Sequence, residues 1–107
     1  MVSVERAAAD PRGSARAALS PLAACELLAI HFDIDLVDFL DAPLAENTDR
    51  GTAPSLIACG EMLSELLTDG RVRALTVTEF NPHHGTDDEQ TTTRLVEVLI
   101  RALTATA

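Results

Sequence analysis

A dense apolar run that ends in two carboxylates constrains the fold of this 107-residue chain more than any other feature. Residues 27–35 have the sequence Leu-Leu-Ala-Ile-His-Phe-Asp-Ile-Asp, in which apolar residues are nearly continuous instead of alternating with polar ones. Such a run is typical of a strand covered on both faces, as in a parallel sheet. We therefore expect a buried strand here, followed by a long acidic loop over residues 36–53.

Helix signals lie on both sides of this strand. In the Ala-rich segment 1–21, Asp10 followed by a proline predicts an N-cap and a short helix that ends near Leu19. After the acidic loop, Thr52 is expected to cap a second helix, and Gly70 is expected to end it in a left-handed C-cap. The buried face predicted for that helix consists of Leu56, Cys59, Leu63, Leu66 and Leu67.

The remainder of the chain repeats the order of strand, turn and helix. Residues 73–79 are expected to form a second strand, and residues 86–89 match a capping box before a closing helix. The buried face predicted for the closing helix consists of Leu95, Val98, Leu99, Ala102 and Leu103. This alternation predicts an α/β fold in which a right-handed crossover joins two parallel strands.

Two parallel strands are too few for a complete sheet, because both outer edges need partners. We therefore expect residues 1–107 to form a single partial domain, the end piece of a larger α/β domain. Residues 1–21 are its helical segment, and residues 22–107 are its strand–loop–helix–strand–helix part.

The charge of the chain restricts its partners. Seventeen acidic residues face eight basic ones, all of them arginine, which gives a formal charge of −9. Aromatic residues make up 3% of the sequence, with no Trp and no Tyr. This composition argues against binding to nucleic acid or to an anionic membrane, and it favours cationic ligands.

The sequence also indicates a compartment. No segment approaches the ~18 apolar residues of a membrane span, and the first residues lack a signal-peptide pattern. Cys25 and Cys59 lie in apolar surroundings without metal-ligand spacing, so we expect both to be core residues in a reducing compartment. The expected location is the cytoplasm.

Asp33 and Asp35 are the strongest candidate site residues. Two residues apart on a strand, they would point to the same side with their Cα atoms roughly 6.6 Å apart. Paired carboxylates repel one another unless a cation neutralises them, and oxygen donors favour Mn²⁺ or Mg²⁺. The alternative is that one or both cap the following loop or face solvent.

Two families with similar aspartate strings fit poorly. An EF-hand loop requires Gly at its sixth position and Glu at its twelfth, where this chain has Asp38 and Leu44. The haloacid-dehalogenase phosphatases share a strand that ends in Asp-x-Asp, but they also use a lysine, and this chain has none.

A third family fits better. The string His-Phe-Asp-Ile-Asp-Leu-Val-Asp at residues 31–38, followed by Leu-Thr-Val-Thr-Glu-Phe-Asn-Pro at residues 75–82, resembles the arginase–agmatinase–formiminoglutamase family, the ureohydrolases. The resemblance extends over residues 30–103. It implies the C-terminal fragment of a three-layer α/β/α parallel-sheet fold, with two parallel strands and about three helices.

The resemblance also implies roles for three residues. Asp33 corresponds to a carboxylate shared by two Mn²⁺ ions, and Asp35 corresponds to a ligand of one of them. Glu79 corresponds to the carboxylate that holds the guanidinium or amidinium group of the substrate; its alternative role is to cap the next turn. The implied activity is metal-dependent hydrolysis of a C–N bond in a linear guanidino or amidino compound.

Departures from the family pattern limit what this chain is expected to do alone. The upstream Gly-Gly-Asp-His and Asp-Ala-His-x-Asp metal-binding strings are missing. We therefore expect an incomplete Mn²⁺ site, a truncated chain that is inactive in isolation, and no catalytic residue among its side chains. His31 stands where many members have a small polar residue, and no ligand role is assigned to His83 or His84.

A second hypothesis from a different functional class stays open. The chain could be a non-catalytic interaction module or a split subunit, in which the sheet edge docks onto a complementing chain or onto another copy. The outer edges of the sheet, which need partners, favour this hypothesis independently of any metal site.

Overall fold

The computed structural model describes residues 2–37, 41–42, 53–81 and 90–104. Within these ranges the elements are, in chain order, α1 (Val4–Ala9), α2 (Pro11–Leu19), β1 (Leu28–Asp33), α3 (Leu56–Leu67), β2 (Val72–Thr78) and α4 (Gln90–Thr104). Short 3₁₀ turns at Ser20–Leu22 and Ile34–Leu36 follow α2 and β1. None of the helices described combines the length and the apolar character that a membrane span requires.

Asp10 organises the two N-terminal helices. Its N–H donates to the carbonyl of Arg6 at 2.7 Å and ends α1, and its carboxylate accepts from the N–H of Gly13 at 3.1 Å and begins α2. Pro11 occupies the first turn of α2, where its missing N–H leaves no bond unmade. The predicted cap and helix are confirmed. The short helix α1, which Ser3 caps, was not predicted.

The start and end of α3 differ from the expected ones. Ser55 caps the helix by accepting a first-turn N–H at 3.1 Å, and the carboxylate of Asp41 accepts the first helical N–H at 2.8 Å. Thr52, the expected cap, lies outside the described residues. The left-handed C-cap predicted at Gly70 is wrong, since no glycine in the described ranges has a positive φ.

The strands β1 and β2 pair in parallel, as predicted, and α3 lies in the connection between them. The register places Ile30 opposite Leu75 and Asp33 opposite Thr78, with one irregularity near Leu28. Because side chains alternate along a strand, the register divides the residues of the sheet between two faces.

One face of the sheet packs against α3 and α4. Phe32 is 4% exposed within a core that also contains Ile34, Val37, Ala42, Leu56, Cys59, Leu63, Leu95 and Ala102. Ile30 and Leu75 pack against this core from the same face. The two helices approach closely at Gly60, where a Cβ atom would lie 2.6 Å from Cγ1 of Val98. The apolar face of α4 therefore packs as expected at four of its five predicted residues, Leu95, Val98, Leu99 and Ala102. The capping box predicted at residues 86–89 lies outside the described residues.

Three predicted core residues have different environments. Cys59 is buried as expected, and desolvation, followed by the charge of Asp41, raises the pKa of its thiol to about 12. Cys25 is exposed, so its assignment to the core is wrong. Leu103 is 50% exposed, because it lies at the edge of the α4 stripe and away from the buried Ala102.

The opposite face of the sheet is open. It carries small or polar exposed side chains, namely Ala29, His31, Ala74 and Thr76. In the part of the chain that the structure describes, no helix covers this face and neither outer strand edge has a neighbouring strand. The expected coverage of the strand is therefore present on one face.

Candidate functional site

The carboxyl ends of β1 and β2 bring two of the predicted site residues to one edge of the sheet. Asp33 is the register partner of Thr78, and Glu79 follows Thr78 directly. Neighbouring strands lie about 4.8 Å apart, so the backbones of Asp33 and Glu79 are close neighbours. In open α/β sheets, ligands bind outside this edge.

Asp35 lies beyond the strand. β1 ends at Asp33, whose Oδ1 accepts the N–H of Asp35 at 2.8 Å and so caps the turn Ile34–Leu36. The expectation of two carboxylates on one strand face is therefore wrong, because this local bond bends the chain out of the strand. Asp33 thus performs the capping role considered as its alternative. A carboxylate accepts several bonds, so capping leaves room for a cation as well.

Glu79 has a strained backbone. Its φ of 60° is the one positive value among the non-glycine residues that the structure describes, and its side chain is exposed. A left-handed conformation at a non-glycine residue costs about 1–3 kcal/mol and persists only where the surrounding structure imposes it. Such residues concentrate at ligand sites, which agrees with the binding role predicted for Glu79.

His31 contributes a polar cluster just below this edge. Its Nδ1 lies 3.0 Å from Oγ1 of Thr76, and its Nε2 lies 3.0 Å from Oγ1 of Thr78. In the sequence, His31 is recognisable as a departure from the ureohydrolase pattern, but its hydrogen-bond partners are not predictable. These partners depend on the strand register, which no local pattern of residues specifies.

The arginine side chains seen in ion pairs bind carboxylates elsewhere. Two arginines of α2 bind Glu65 at 3.3 and 3.1 Å, and Arg71 binds Asp69 at 2.7 Å near the amino end of β2. The hydrogen bonds from Arg71 lower the pKa of Asp69 to about 2. Within the described ranges no arginine pairs with Asp33 or Glu79. The carboxylates of Asp33 and Glu79 are therefore not neutralised by any arginine of the described residues, which favours a cationic ligand at this edge.

Comparison with known proteins gives matches in structure. No protein-family model and no curated protein matches the sequence. The arginase of Helicobacter pylori aligns with a TM-score of 0.84 and 19% identity, over 97% of this chain and 35% of that chain. An Entamoeba histolytica arginase, solved in complex with L-ornithine, aligns with a TM-score of 0.76 and 20% identity, over 95% and 34%. The chain has the fold of part of an arginase.

A second type of enzyme shares this arginase fold. The agmatine ureohydrolase of Thermoplasma volcanium aligns with a TM-score of 0.61 and 13% identity, over 89% of this chain and 32% of that chain. The predicted α/β class and the resemblance to ureohydrolases are thus confirmed for the fold. The chain spans about a third of the length of these solved structures. At such identities the roles of Asp33, Asp35 and Glu79 stay predictions.

The donors at this edge of the arginase fold suit a hard divalent cation in kind, since carboxylate oxygens are what Mn²⁺ and Mg²⁺ prefer. Among the described residues they are too few for a metal centre. The described residues contain no group of three or more His, Cys, Asp or Glu side chains placed to hold a metal ion. His83 and His84 lie outside those residues. A two-metal centre would therefore require ligands in addition to Asp33 and Asp35.

Proposed function

We propose that this chain is part of a ureohydrolase-type metallohydrolase, which hydrolyses a C–N bond in a linear guanidino or amidino cation. The observation that supports the proposal most directly is the parallel register, which sets Asp33 beside Thr78 and Glu79 in an arginase fold. The formal charge of −9 and the acidic sheet edge favour a cationic substrate.

Each of the three carboxylates has a role in this proposal. Asp33 and Asp35 would hold Mn²⁺, which lowers the pKa of a bound water enough to supply hydroxide near neutral pH. Glu79 would accept paired N–H bonds from the guanidinium or amidinium group and fix its plane. It would thereby hold the substrate at the carboxyl edge of the sheet, beside Asp33.

The proposal includes inactivity of the isolated chain. The chain spans about a third of the arginases that it matches, and its sequence contains neither of the upstream metal-binding strings. Two aspartates cannot complete a binuclear site. A cytoplasmic location is part of the same proposal, and the free thiols of Cys25 and Cys59 are compatible with a reducing compartment.

Titration with Mn²⁺, followed by the electron paramagnetic resonance signal of the free ion, tests the site. In an assembly with a complementing chain that supplies the missing ligands, Asp35→Ala is expected to weaken Mn²⁺ binding more than ~10-fold, because it removes a ligand. Glu79→Gln is expected to leave Mn²⁺ affinity unchanged. A suitable control is Glu97→Ala, which removes an exposed carboxylate of α4.

Two results would contradict the assignments. Equal Mn²⁺ affinities in Asp35→Ala and Glu97→Ala would remove Asp35 from the metal site, and metal loss in Glu79→Gln would mean that Glu79 is misassigned. Separately, release of urea from arginine or agmatine by the pure chain with Mn²⁺ would disprove its inactivity.

A second candidate function is an interaction module or split subunit that docks onto a complementing chain or another copy. The open sheet face and the two outer strand edges, neither paired within the described residues, favour it. Light scattering after size-exclusion chromatography tests it. A folded monomer would count against this function if it stays monomeric at high concentration and also when it is mixed with the proteins encoded by the neighbouring genes.

A further inference from the structure

His31 links β1 to β2 through its side chain as well as through the backbone ladder. Its ring contacts Thr76, its own register partner, and also Thr78, two residues further along β2, each at 3.0 Å. The ring therefore spans two successive side chains on the open face of the sheet. One imidazole holds two hydroxyl groups of the neighbouring strand at the same time.

Both contacts of His31 can be hydrogen bonds together. A neutral imidazole offers one donor and one acceptor, and a threonine hydroxyl can serve as either. One hydroxyl then accepts the ring N–H while the other donates to the second ring nitrogen, in either tautomer. The two bonds fix the orientation of the ring and of both hydroxyls.

These two hydrogen bonds of His31 form a bridge between β1 and β2, and the bridge lies near the carboxyl end of the sheet. Thr78 is the last residue of β2, it lies opposite Asp33, and the strained Glu79 follows it. The ends of a two-stranded sheet open easily, because few contacts hold them. A strained conformation such as that of Glu79 persists only when neighbouring contacts impose it.

We propose that His31 is a positioning residue. Its bridge to the two threonines holds the end of β2 against β1, and so keeps Glu79 in its left-handed conformation beside Asp33. The consequence for a bound cation depends on the proposed function, whereas the bridge itself does not.

Amide hydrogen exchange tests the bridge. His31→Phe keeps a planar ring and removes both hydrogen bonds. We expect the amide of Thr78, the last residue of β2, to exchange about tenfold faster in this variant, while the amides of Val72 and Ala74, at the other end of β2, keep their rates. His31→Gln keeps a donor and an acceptor, and we expect it to restore most of the protection.

A second pair of variants removes the hydroxyl side of the bridge. Thr78→Val is expected to reproduce the exchange pattern of His31→Phe, and Thr93→Val is the matched control, because Thr93 is exposed on α4. Unchanged exchange in both bridge variants would overturn the proposal. So would equal acceleration of all the amides of β2, since that pattern reports a general loss of stability.

The effect on the ligand is measured separately by titration of agmatine, followed by the amide shifts of Asp33 and Glu79. We expect His31→Phe to weaken agmatine binding roughly fivefold, about the effect of losing a net hydrogen bond, and His31→Gln to recover it. Equal agmatine affinities in wild type and His31→Phe would overturn the positioning role. If the wild-type chain shows no amide shifts with either agmatine or arginine, the proposed binding of a guanidino cation at Glu79 is wrong, and the hydrogen-exchange result still tests the contact of His31 with the two threonines separately.

Discussion

The two faces of the sheet consist of alternating residues of the same two strands, yet they have different surroundings. Phe32 is 4% exposed and packs with side chains of α3 and α4. Its neighbour His31 is exposed, and its side chain bonds to hydroxyls of β2. The first face contributes apolar burial, the main source of stability, and the second carries polar groups toward the acidic edge. A residue's role therefore depends on its face as well as on its strand.

The composition of the open face accounts for part of this difference. It holds alanine, threonine and histidine, while the covered face holds Ile30, Phe32 and Leu75. Small side chains on a sheet permit close approach of another layer.

Phe32→Ala is expected to disrupt the packing of the covered face and to cause the largest loss of unfolding free energy among the variants considered. Truncating a buried phenylalanine leaves a cavity and costs about 3–5 kcal/mol of unfolding free energy. His31→Ala, one residue away on the other face, is expected to cost about 1 kcal/mol, because its two hydrogen bonds are exposed to competing water. Urea unfolding measures both, and similar losses at the two positions would contradict the distinction between the faces.

Gly60→Ala probes the helix layer behind the covered face. The new Cβ would lie 2.6 Å from Cγ1 of Val98, so the side chain of Val98 must rotate or α3 and α4 must move apart. We expect a net loss of about 1–2 kcal/mol, since the overpacking exceeds the gain in helix propensity. Gly70→Ala is the matched control, with no atom within 4 Å of the new Cβ and an expected change below about 0.5 kcal/mol. Equal thermal stabilities of the two variants would show that the helices do not meet at Gly60.

Glu79→Gly tests whether the backbone of Glu79, at the end of the open face, is strained. Glycine adopts a φ of 60° without steric cost, so relief of strain is expected to stabilise the fold by about 1 kcal/mol. Agmatine binding should fall at the same time, because the carboxylate is gone. Glu79→Ala also removes the carboxylate but keeps the strain, so it should lower binding without the gain in stability. If both variants unfold at the same urea concentration, the left-handed conformation of residue 79 does not cost free energy and the inferred strain is wrong.

Local sequence patterns predicted much of the fold. The Asp10 cap, the helix that it begins and the two parallel strands follow from short-range chemistry: a carboxylate beside a proline, and apolar runs between turn residues. The edge that joins Asp33 to Glu79 was also predictable, because parallel strands end on the same side of a sheet.

Other features depend on interactions between parts of the chain, or on competing local hydrogen bonds, that a local sequence pattern does not show. The position of Asp35 was mispredicted because a side-chain bond from Asp33 ended the strand before it. The partners of His31 depend on register, and the exposure of Cys25 depends on which surfaces the connecting turn covers. The strain at Glu79 appears only when the backbone is built.

The smallest expected effect concerns the amino end of β2, far from the acidic edge. Hydrogen bonds from Arg71 lower the pKa of Asp69 from its ordinary value of 3.8 to about 2, so between these values the unfolded chain binds more protons than the folded one. The stabilisation from this pair is therefore complete above about pH 4 and is lost as the pH falls toward 2. It is small, because both side chains are partly exposed. Melting temperatures of the wild type and Asp69→Asn should differ at pH 6 and converge near pH 2. Glu65 is retained in both proteins, so its own lowered pKa cancels in the difference. A gap that stays constant down to pH 2 would show that the Asp69 carboxylate is not held by Arg71.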